Sequence, residues 1–162
     1  MSKHLEIERK FLLRRLPEAR YSKVLHIRQY YLKDGSRIRE SRNDVNKKSG
    51  AEDVKYYLTR KKKIAQGIYE EDERKISEKK FNKLSKRAVS EIVKSRFILK
   101  SGKLKWEIDA YSNIELVTAE IELKSLYAGF KMPATIANEL IMDVTEFPQF
   151  TNRAMSIKIK ST

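Results

Sequence analysis

The first two carboxylates of the sequence, Glu6 and Glu8, are followed at the same spacing by Lys10. Successive side chains of a β-strand point to opposite faces, so these three would share one face, while Ile7 and Phe11 would lie on the other. Taken alone, this pattern is typical of a sheet with one face in water. Carboxylates and an ammonium group are also the groups that bind divalent cations and phosphate oxygens.

Charged pairs of this kind recur along the chain and are sorted by sign. Within one strand, charges that serve only solubility usually mix the two signs. The acidic pairs are Glu6 and Glu8, Glu71 and Glu73, Glu107 and Asp109, and Glu120 and Glu122; the basic pairs are Arg37 and Arg39, Lys61 and Lys63, and Lys94 and Arg96. If the sheet closes with this face inward, arginines, lysines and carboxylates would line one channel.

A channel lined by both cations and carboxylates predicts a ligand that contains both negative and positive groups. Arginine and lysine bind phosphate oxygens, but carboxylates in the same channel would repel a polyphosphate unless divalent cations lie between them. Magnesium and manganese prefer oxygen ligands and commonly bridge phosphates to carboxylates. We therefore expect the channel to bind a complex of a metal ion and a polyphosphate.

Alternating segments predict about eight strands, most of them antiparallel because short turns join them. A closed barrel or a strongly curled sheet would leave no free edges. The helices and loops would cover the apolar outer face. The predicted strands are 5–13, 24–33, 36–42, 54–63, 67–76, 91–100, 103–112 and 115–124.

The remaining segments predict two helices, a long loop and a last alternating stretch. Apolar spacings of three and four indicate a helix over about 78–90 with Ser77 as its cap, and a short helix is expected at 134–141, after Pro133. The polar segment 43–53 is interpreted as a long hairpin loop, and the tail "MSIKIK" alternates like a strand.

Composition restricts the class of protein. The 162 residues, taken as one domain over 1–162, include 36 basic and 22 acidic residues, a formal net charge of +14 that would attract polyanions. No cysteine and only two histidines are present, which excludes thiolate chemistry and leaves carboxylates as the metal ligands. No apolar run is long enough for a signal core or a membrane span, so we expect a cytoplasmic protein without membrane partners.

Eight motifs in order resemble the CYTH domain of the triphosphate tunnel metalloenzymes. "EIERK" is similar to the E-x-E-x-K signature of that family, and the other seven span nearly the whole chain. They are "IRQYYL", "RIR", "LTRK", "EEDE", "VKSRF", "WEID" and "AEIEL". The resemblance implies an α+β fold in which an eight-stranded antiparallel tunnel, with a few helices outside, binds a triphosphate and two Mg²⁺ or Mn²⁺ ions.

The resemblance also implies roles for individual residues. Glu6, Glu8, Asp109, Glu120 and Glu122 would be metal ligands, and Lys10, Arg37, Arg39, Lys61, Lys94 and Arg96 would hold the phosphates. Glu71 and Glu73 match a further acidic pair without a firm role. Tyr31 matches a tyrosine that pairs with Lys10, and we expect neighbouring cations to lower the pKa of Lys10 so that it accepts a proton during in-line attack by water.

Three positions depart from the family pattern. Tyr30 replaces a glycine, so either Tyr30 or Tyr31 could point inward, and strand parity favours Tyr31. Tyr69 stands where an arginine is common, so one phosphate contact is absent or comes from elsewhere. The loop at 43–53 is longer than expected for a compact member.

The expected activity is hydrolysis of a triphosphate, with inorganic triphosphate first because the chain is short and opens with "EIERKFL". The alternatives are a class IV adenylate cyclase, which needs an adenine pocket at one tunnel mouth, and a thiamine triphosphatase. A third hypothesis is a non-catalytic binder of polyphosphate or RNA that uses the surplus lysines, although acidic pairs in the tunnel argue against it.

Overall fold

The alternating segments form the strands that their pattern predicts. The computed structural model describes residues 2–43, 53–112 and 114–161, so most of the predicted loop at 43–53 lies outside the described residues. The strands are β1 (Ser2–Leu13), β2 (Lys23–Leu32), β3 (Arg37–Asn43), β4 (Asp53–Ala65), β5 (Ile68–Lys75), β6 (Ala88–Ser101), β7 (Leu104–Tyr111), β8 (Val117–Leu123) and β9 (Leu140–Asp143). The helices are α1 (Glu78–Ser85), α2 (Ala134–Ala137) and α3 (Asn152–Ser161), with a 3₁₀ turn at Pro148–Phe150.

Eight antiparallel strands close into a barrel in the order β1-β5-β4-β3-β2-β6-β7-β8 and back to β1. Strand β1 makes the closure because its first half pairs with β5 and its second half with β8. The predicted fold class, an eight-stranded antiparallel barrel with helices outside, is confirmed. Within the described residues, no helix has the length and apolar character needed to cross a membrane.

The apolar face of the strands points outward and is covered, as the parity of the sequence predicts. The largest core cluster joins Phe11, Trp106, Ile108 and Ile121 to side chains from the loops and to Ile136 of α2. A second cluster packs Phe81 of α1 against Ile38, Tyr30 and Tyr56. Each fully buried aliphatic or aromatic side chain contributes about 1.5–3 kcal/mol, so this outer shell holds the barrel walls in place.

The turn between β4 and β5 meets β1 beside Glu8. The backbone N–H of Glu8 donates to the carbonyl of Gly67 over 2.9 Å, and Gly67 has φ +70°. A Cβ at this position would lie 2.9 Å from the carbonyl oxygen of Glu8. Only glycine fits both the backbone conformation and the close approach, and this contact fixes the position of Glu8 in the barrel.

Three predictions about the secondary elements are wrong. Helix α1 ends at Ser85 rather than near 90, because Ala88 already begins β6 and pairs with Leu32. The helix expected at 134–141 begins after Pro133 as predicted but ends at Ala137, because residues 140–143 form β9, which pairs with Phe11–Leu13 at the edge of β1 that β5 leaves open. The tail forms α3 rather than a strand, and the successive buried residues Met155 and Ser156 fit a helix side packed on β6.

Candidate active site

The barrel encloses a cavity of about 400 Å³ whose wall is mostly charged. All the predicted site residues except Asp109 line it, so the charged face points inward, although Lys63 of the predicted basic pairs is exposed and is not part of the wall. The predicted residues on the wall are Glu6, Glu8, Lys10, Tyr31, Arg37, Arg39, Lys61, Glu71, Glu73, Lys94, Arg96, Glu120 and Glu122. Asp109 is fully buried directly beneath the wall and binds two of these residues.

Lys10 and Glu120 form a buried ion pair between β1 and β8. They are direct cross-strand partners, and the ammonium lies 3.3 Å from a carboxylate oxygen. Burial alone would lower the pKa of Lys10, but the charge of Glu120 raises it well above its usual value. Burial would likewise raise the pKa of Glu120, but Lys10 and other cations lower it to about 2. The expectation that neighbouring cations lower the pKa of Lys10 is therefore wrong.

Asp109 holds two cations with one carboxylate. Its two oxygens accept hydrogen bonds of 2.7–2.8 Å from Lys94 and Arg96. Burial opposes its charge, but these two cations lower the pKa of Asp109 well below its usual range. Burial and the neighbouring Arg96 lower the pKa of Lys94 to about 8, since Lys94 shares the carboxylate of Asp109 with the arginine. Arg96 has a second partner, Glu107, at 2.5 Å.

Two arginines of β3 face the acidic pair of β5 across β4. The guanidinium of Arg39 lies 3.3 Å from Glu73, and that of Arg37 lies 3.9 Å from both Glu71 and Glu73. Thr59 lies between them on β4 and donates its hydroxyl to Glu73 over 2.8 Å. Burial, followed by the charge of Glu6, raises the pKa of Glu71.

A lysine from β4 contacts both carboxylates of the first acidic pair. Lys61 lies 2.6 Å from Glu6 and 3.4 Å from Glu8. Burial, followed by the charge of Glu120, raises the pKa of Glu8 to about 8. Glu122 is the direct cross-strand partner of Glu8, and like charges directly opposite each other are destabilising. Carboxylates are thus crowded at this position, and one lysine does not compensate for all of them.

Of the two adjacent tyrosines, Tyr31 points into the barrel, as parity predicts. Its hydroxyl accepts a hydrogen bond of 2.6 Å from Gln29, and burial raises its pKa. Tyr30 packs outside against Phe81 of α1, with ring centroids 5.9 Å apart. The ammonium of Lys10 pairs with Glu120.

The donor set fits a divalent cation in its chemistry. Within the described residues, one buried oxygen of Glu6 and one of Glu120 have only a lysine ammonium group as a partner, Lys61 and Lys10 respectively. The carboxylates are not arranged in advance, however: among the described residues, no three acidic or histidine side chains form a ready metal cage. A cation would therefore have to displace the lysine partners of these carboxylates.

Several wall residues were not identified from the sequence as site residues. Strand parity places Glu107 on the inward face without indicating a role for it, and Gln29 lies within the motif "IRQYYL". The segment that follows β9 also closes part of the wall, and no local pattern in the sequence indicates this. From that segment, Val144, Thr145, Phe147, Phe150, Thr151, Asn152 and Arg153 line the cavity.

A second cavity of about 390 Å³ adjoins the first and shares Arg39, Arg96, Lys105 and Glu107 with it. Its wall differs because it combines aliphatic and aromatic side chains with lysines. The guanidinium of Arg39 lies 5.0 Å from the centre of the Tyr57 ring. The other apolar wall residues are Leu25, Ile27 and Ile98, and the lysines are Lys23, Lys55, Lys100 and Lys105.

Comparison with known proteins identifies solved structures of similar fold. No protein-family model and no curated protein matches the chain. The inorganic triphosphatase NE1496 matches with a TM-score of 0.60 and 23% identity over 94% of both chains. Protein PH1012 from Pyrococcus horikoshii OT3 matches at 0.53 and 18% identity, over 75% of this chain and 79% of that one. A candidate adenylate cyclase, BH2851 from Bacillus halodurans, matches at 0.50 and 17%, over 77% and 83%. The resemblance seen in the sequence is thus confirmed at the level of the fold: the chain shares the antiparallel barrel of the inorganic triphosphatase NE1496.

Proposed function

We propose that the protein hydrolyses a triphosphate in a divalent-metal-dependent reaction, with inorganic triphosphate as the first candidate substrate. One observation carries the proposal: a single cavity combines buried guanidinium donors that lack acceptors with buried carboxylate oxygens that contact only lysines. The Nε atoms of Arg37 and Arg39 find no acceptor within the described residues, and the buried oxygens of Glu6 and Glu120 contact the ammonium groups of Lys61 and Lys10 there. A complex of a metal ion and a polyphosphate would satisfy both sets.

The basic residues of the wall would bind the phosphate oxygens. Arg37, Arg39 and Arg96 present planar guanidinium groups, which bind phosphate through two hydrogen bonds at once. Lys61 and Lys94 add point charges on other strands. Since these cations already pair with carboxylates, phosphate binding would exchange one anionic partner for another.

Glu6, Glu8, Glu120 and Glu122 would hold the metal ions, with Asp109 as a further predicted ligand. Carboxylate oxygens are the ligands that Mg²⁺ and Mn²⁺ prefer, and crowding of the carboxylates around Glu8 favours a cation there. Bound metal would supply charge neutralisation and an activated water. In the structure, Asp109 forms ion pairs with Lys94 and Arg96.

Lys10 would act as a proton donor rather than as a base. Its pKa is raised, so the ammonium is protonated at neutral pH and can donate to a phosphate oxygen. Tyr31 also keeps its proton because burial raises its pKa. The two predicted catalytic residues would therefore orient and neutralise the reacting phosphate, and the proton of the attacking water would go elsewhere, for example to a phosphate oxygen.

A second candidate function is the conversion of a triphosphate ester, by an adenylate cyclase or a thiamine triphosphatase. The observation that favours it is the second cavity, where Tyr57 and the aliphatic side chains of Leu25, Ile27 and Ile98 could contact a planar ring. Inorganic triphosphate would leave that apolar wall without a ligand. Ring binding there would place the phosphates at the shared residues Arg39 and Arg96.

The third hypothesis, a non-catalytic binder of polyphosphate or RNA, has less support. The inward acidic residues would repel a metal-free polyanion from the barrel, so binding would depend on the outer surface alone.

A substrate panel tests the proposal. Purified protein is incubated with inorganic triphosphate, ATP or thiamine triphosphate in Mg²⁺, Mn²⁺ or EDTA, and released phosphate, pyrophosphate and cyclic AMP are measured. Metal-dependent phosphate release, fastest from inorganic triphosphate, is the expected result. Cyclic AMP with pyrophosphate would favour the cyclase, and no turnover of any substrate would contradict an enzymatic function.

A further inference from the structure

Arg153 differs from every other basic residue of the cavity wall. Within the described residues, each of the other lysines and arginines on this wall lies within 4.0 Å of a carboxylate, and Arg153 does not. The pairs are Lys10 with Glu120, Arg37 with Glu71 and Glu73, Arg39 with Glu73, Lys61 with Glu6 and Glu8, Lys94 with Asp109, Arg96 with Glu107 and Asp109, and Lys105 with Glu107.

The contact that Arg153 does make leaves most of its guanidinium available. One Nη atom donates to the carbonyl of Gly35, in the turn between β2 and β3, over 3.3 Å. This carbonyl is neutral, so the positive charge is not compensated. The side chain is exposed at the mouth of the cavity, close in space to the turn that leads into Arg37.

Helix α3 holds this arginine at the mouth. Thr151 caps the helix, since its hydroxyl accepts from the N–H of Ala154 over 3.2 Å. Met155 is buried against Ile92 and Tyr111, and the hydroxyl of Ser156 lies 2.8 Å from that of Ser90 on β6. Arg153 therefore projects from an anchored helix and not from a loose tail.

The residue before it ties the helix to the wall itself. The side-chain oxygen of Asn152 accepts from the ammonium of Lys94 over 3.2 Å and from the hydroxyl of Tyr111 over 2.7 Å. Lys94 is one of the cations that would bind phosphate. The start of α3 is thus a fixed part of the cavity wall, and the motifs in the strands do not complete this wall alone.

We infer that Arg153 binds an end phosphate group of the triphosphate at this mouth, an inference that rests on the proposed function. Binding at the other cations displaces a carboxylate, whereas binding at Arg153 displaces none. A guanidinium exposed at the mouth would meet the end of the phosphate chain, and the deeper Arg37 and Arg39 would meet its interior.

Titration of imidotriphosphate, a non-hydrolysable analogue of inorganic triphosphate, into the protein with Mn²⁺ and with EDTA tests this inference. The variants are Arg153→Ala, Arg153→Lys and Arg153→Glu. Arg87→Ala is the matched control, because Arg87 is also exposed and has no carboxylate partner within the described residues. Arg87 lies after α1, outside the cavity. We expect Arg153→Ala to raise the Kd about tenfold, or about 1.4 kcal/mol. Arg153→Lys should recover part of the loss, Arg153→Glu should raise the Kd further, and Arg87→Ala should leave it unchanged.

The outcomes separate this inference from the function on which it rests. Wild-type affinity in all three Arg153 variants would overturn the role of Arg153 and leave the proposed function intact. An equal loss in the Ala and Lys variants would also overturn it, since a structural contact rather than charge would then be responsible. If wild-type protein binds no triphosphate with or without metal, the proposed function itself fails.

Discussion

Lys10 and Glu120 are directly opposed across β1 and β8, and their charged groups are 3.3 Å apart in a nearly closed site, with side chains 10% and 13% exposed. Each member of the pair keeps the other ionised at neutral pH. The wall therefore presents a fixed positive charge next to a fixed negative charge, which is the arrangement that a metal ion and a phosphate can both use.

Replacement of Glu120 by Gln should remove metal-dependent turnover while the fold remains. The variant loses a proposed metal ligand and removes the carboxylate that pairs with Lys10. Metal affinity, measured by calorimetric titration of Mn²⁺, should fall by more than the ~10–100-fold that loss of an outer-shell partner costs. Glu115→Gln, an exposed change outside the cavity, is the control. Near-full activity in Glu120→Gln would show that the metal assignment is wrong.

Glu8→Gln should stabilise the metal-free protein in a pH-dependent way. Because the folded-state pKa of Glu8 is raised from 4.5 to about 8, ionisation of this carboxyl opposes folding as pH rises through that window. Glutamine avoids this cost. The increase in the free energy of unfolding should be near zero below pH 4.5 and on the order of 1–3 kcal/mol close to pH 8. At that pH it would raise the Tm by several degrees.

Thermal unfolding in EDTA across this pH range measures the gain. Added Mn²⁺ should raise the Tm of the wild type but not that of Glu8→Gln. A gain that is the same at every pH would mean that Glu8 is not protonated in the folded, metal-free protein.

Asp109→Asn should destabilise the barrel strongly, because it leaves Lys94 and Arg96 buried with less compensating charge. Breaking a buried pair by removing one partner typically costs about 3–5 kcal/mol. Urea denaturation of the metal-free protein would measure the loss, with the exposed Glu18→Gln as the control. Wild-type stability in Asp109→Asn would show that the carboxylate does not hold these two cations.

Arg39→Ala should weaken triphosphate binding more than it changes the fold. The side chain offers a buried Nε donor without an acceptor within the described residues, and loss of one charged hydrogen bond costs about 1.5–3 kcal/mol. The expected increase in KM is therefore about 10–100-fold. Lys62→Ala removes an exposed cation from the outer face of β4 and should leave KM unchanged. An equal effect in both variants would indicate non-specific electrostatics.

The barrel and most of its lining could be predicted because strand parity is a local property. The spacing of Glu6, Glu8 and Lys10 determines which side chains share a face, and the opposite apolar face determines which side turns inward. The same reasoning selected Tyr31 over Tyr30. Pairing partners are also implied by short turns, as for Lys94 and Arg96 of β6 beside Asp109 of β7.

Features that depend on tertiary contacts could not be predicted in this way. The segment at 140–143 forms β9 only because β1 offers an open edge, and α3 is held by contacts of Met155 and Ser156 with distant residues. Arg153 belongs to no motif and reaches the cavity through that helix. The pKa of Lys10 depends on Glu120, which is 110 positions away in the sequence but directly opposite in the barrel.

Calorimetric titration of imidotriphosphate, a non-hydrolysable analogue of inorganic triphosphate, into wild-type protein, with Mn²⁺ or with EDTA, tests the central claim most directly. The account predicts one molecule of triphosphate per chain, bound more tightly with Mn²⁺ because the cation lies between the phosphates and the carboxylates. Absence of binding in both conditions would contradict the account. So would equal binding in EDTA that weakens steeply with salt, the behaviour of a polyanion on a basic surface.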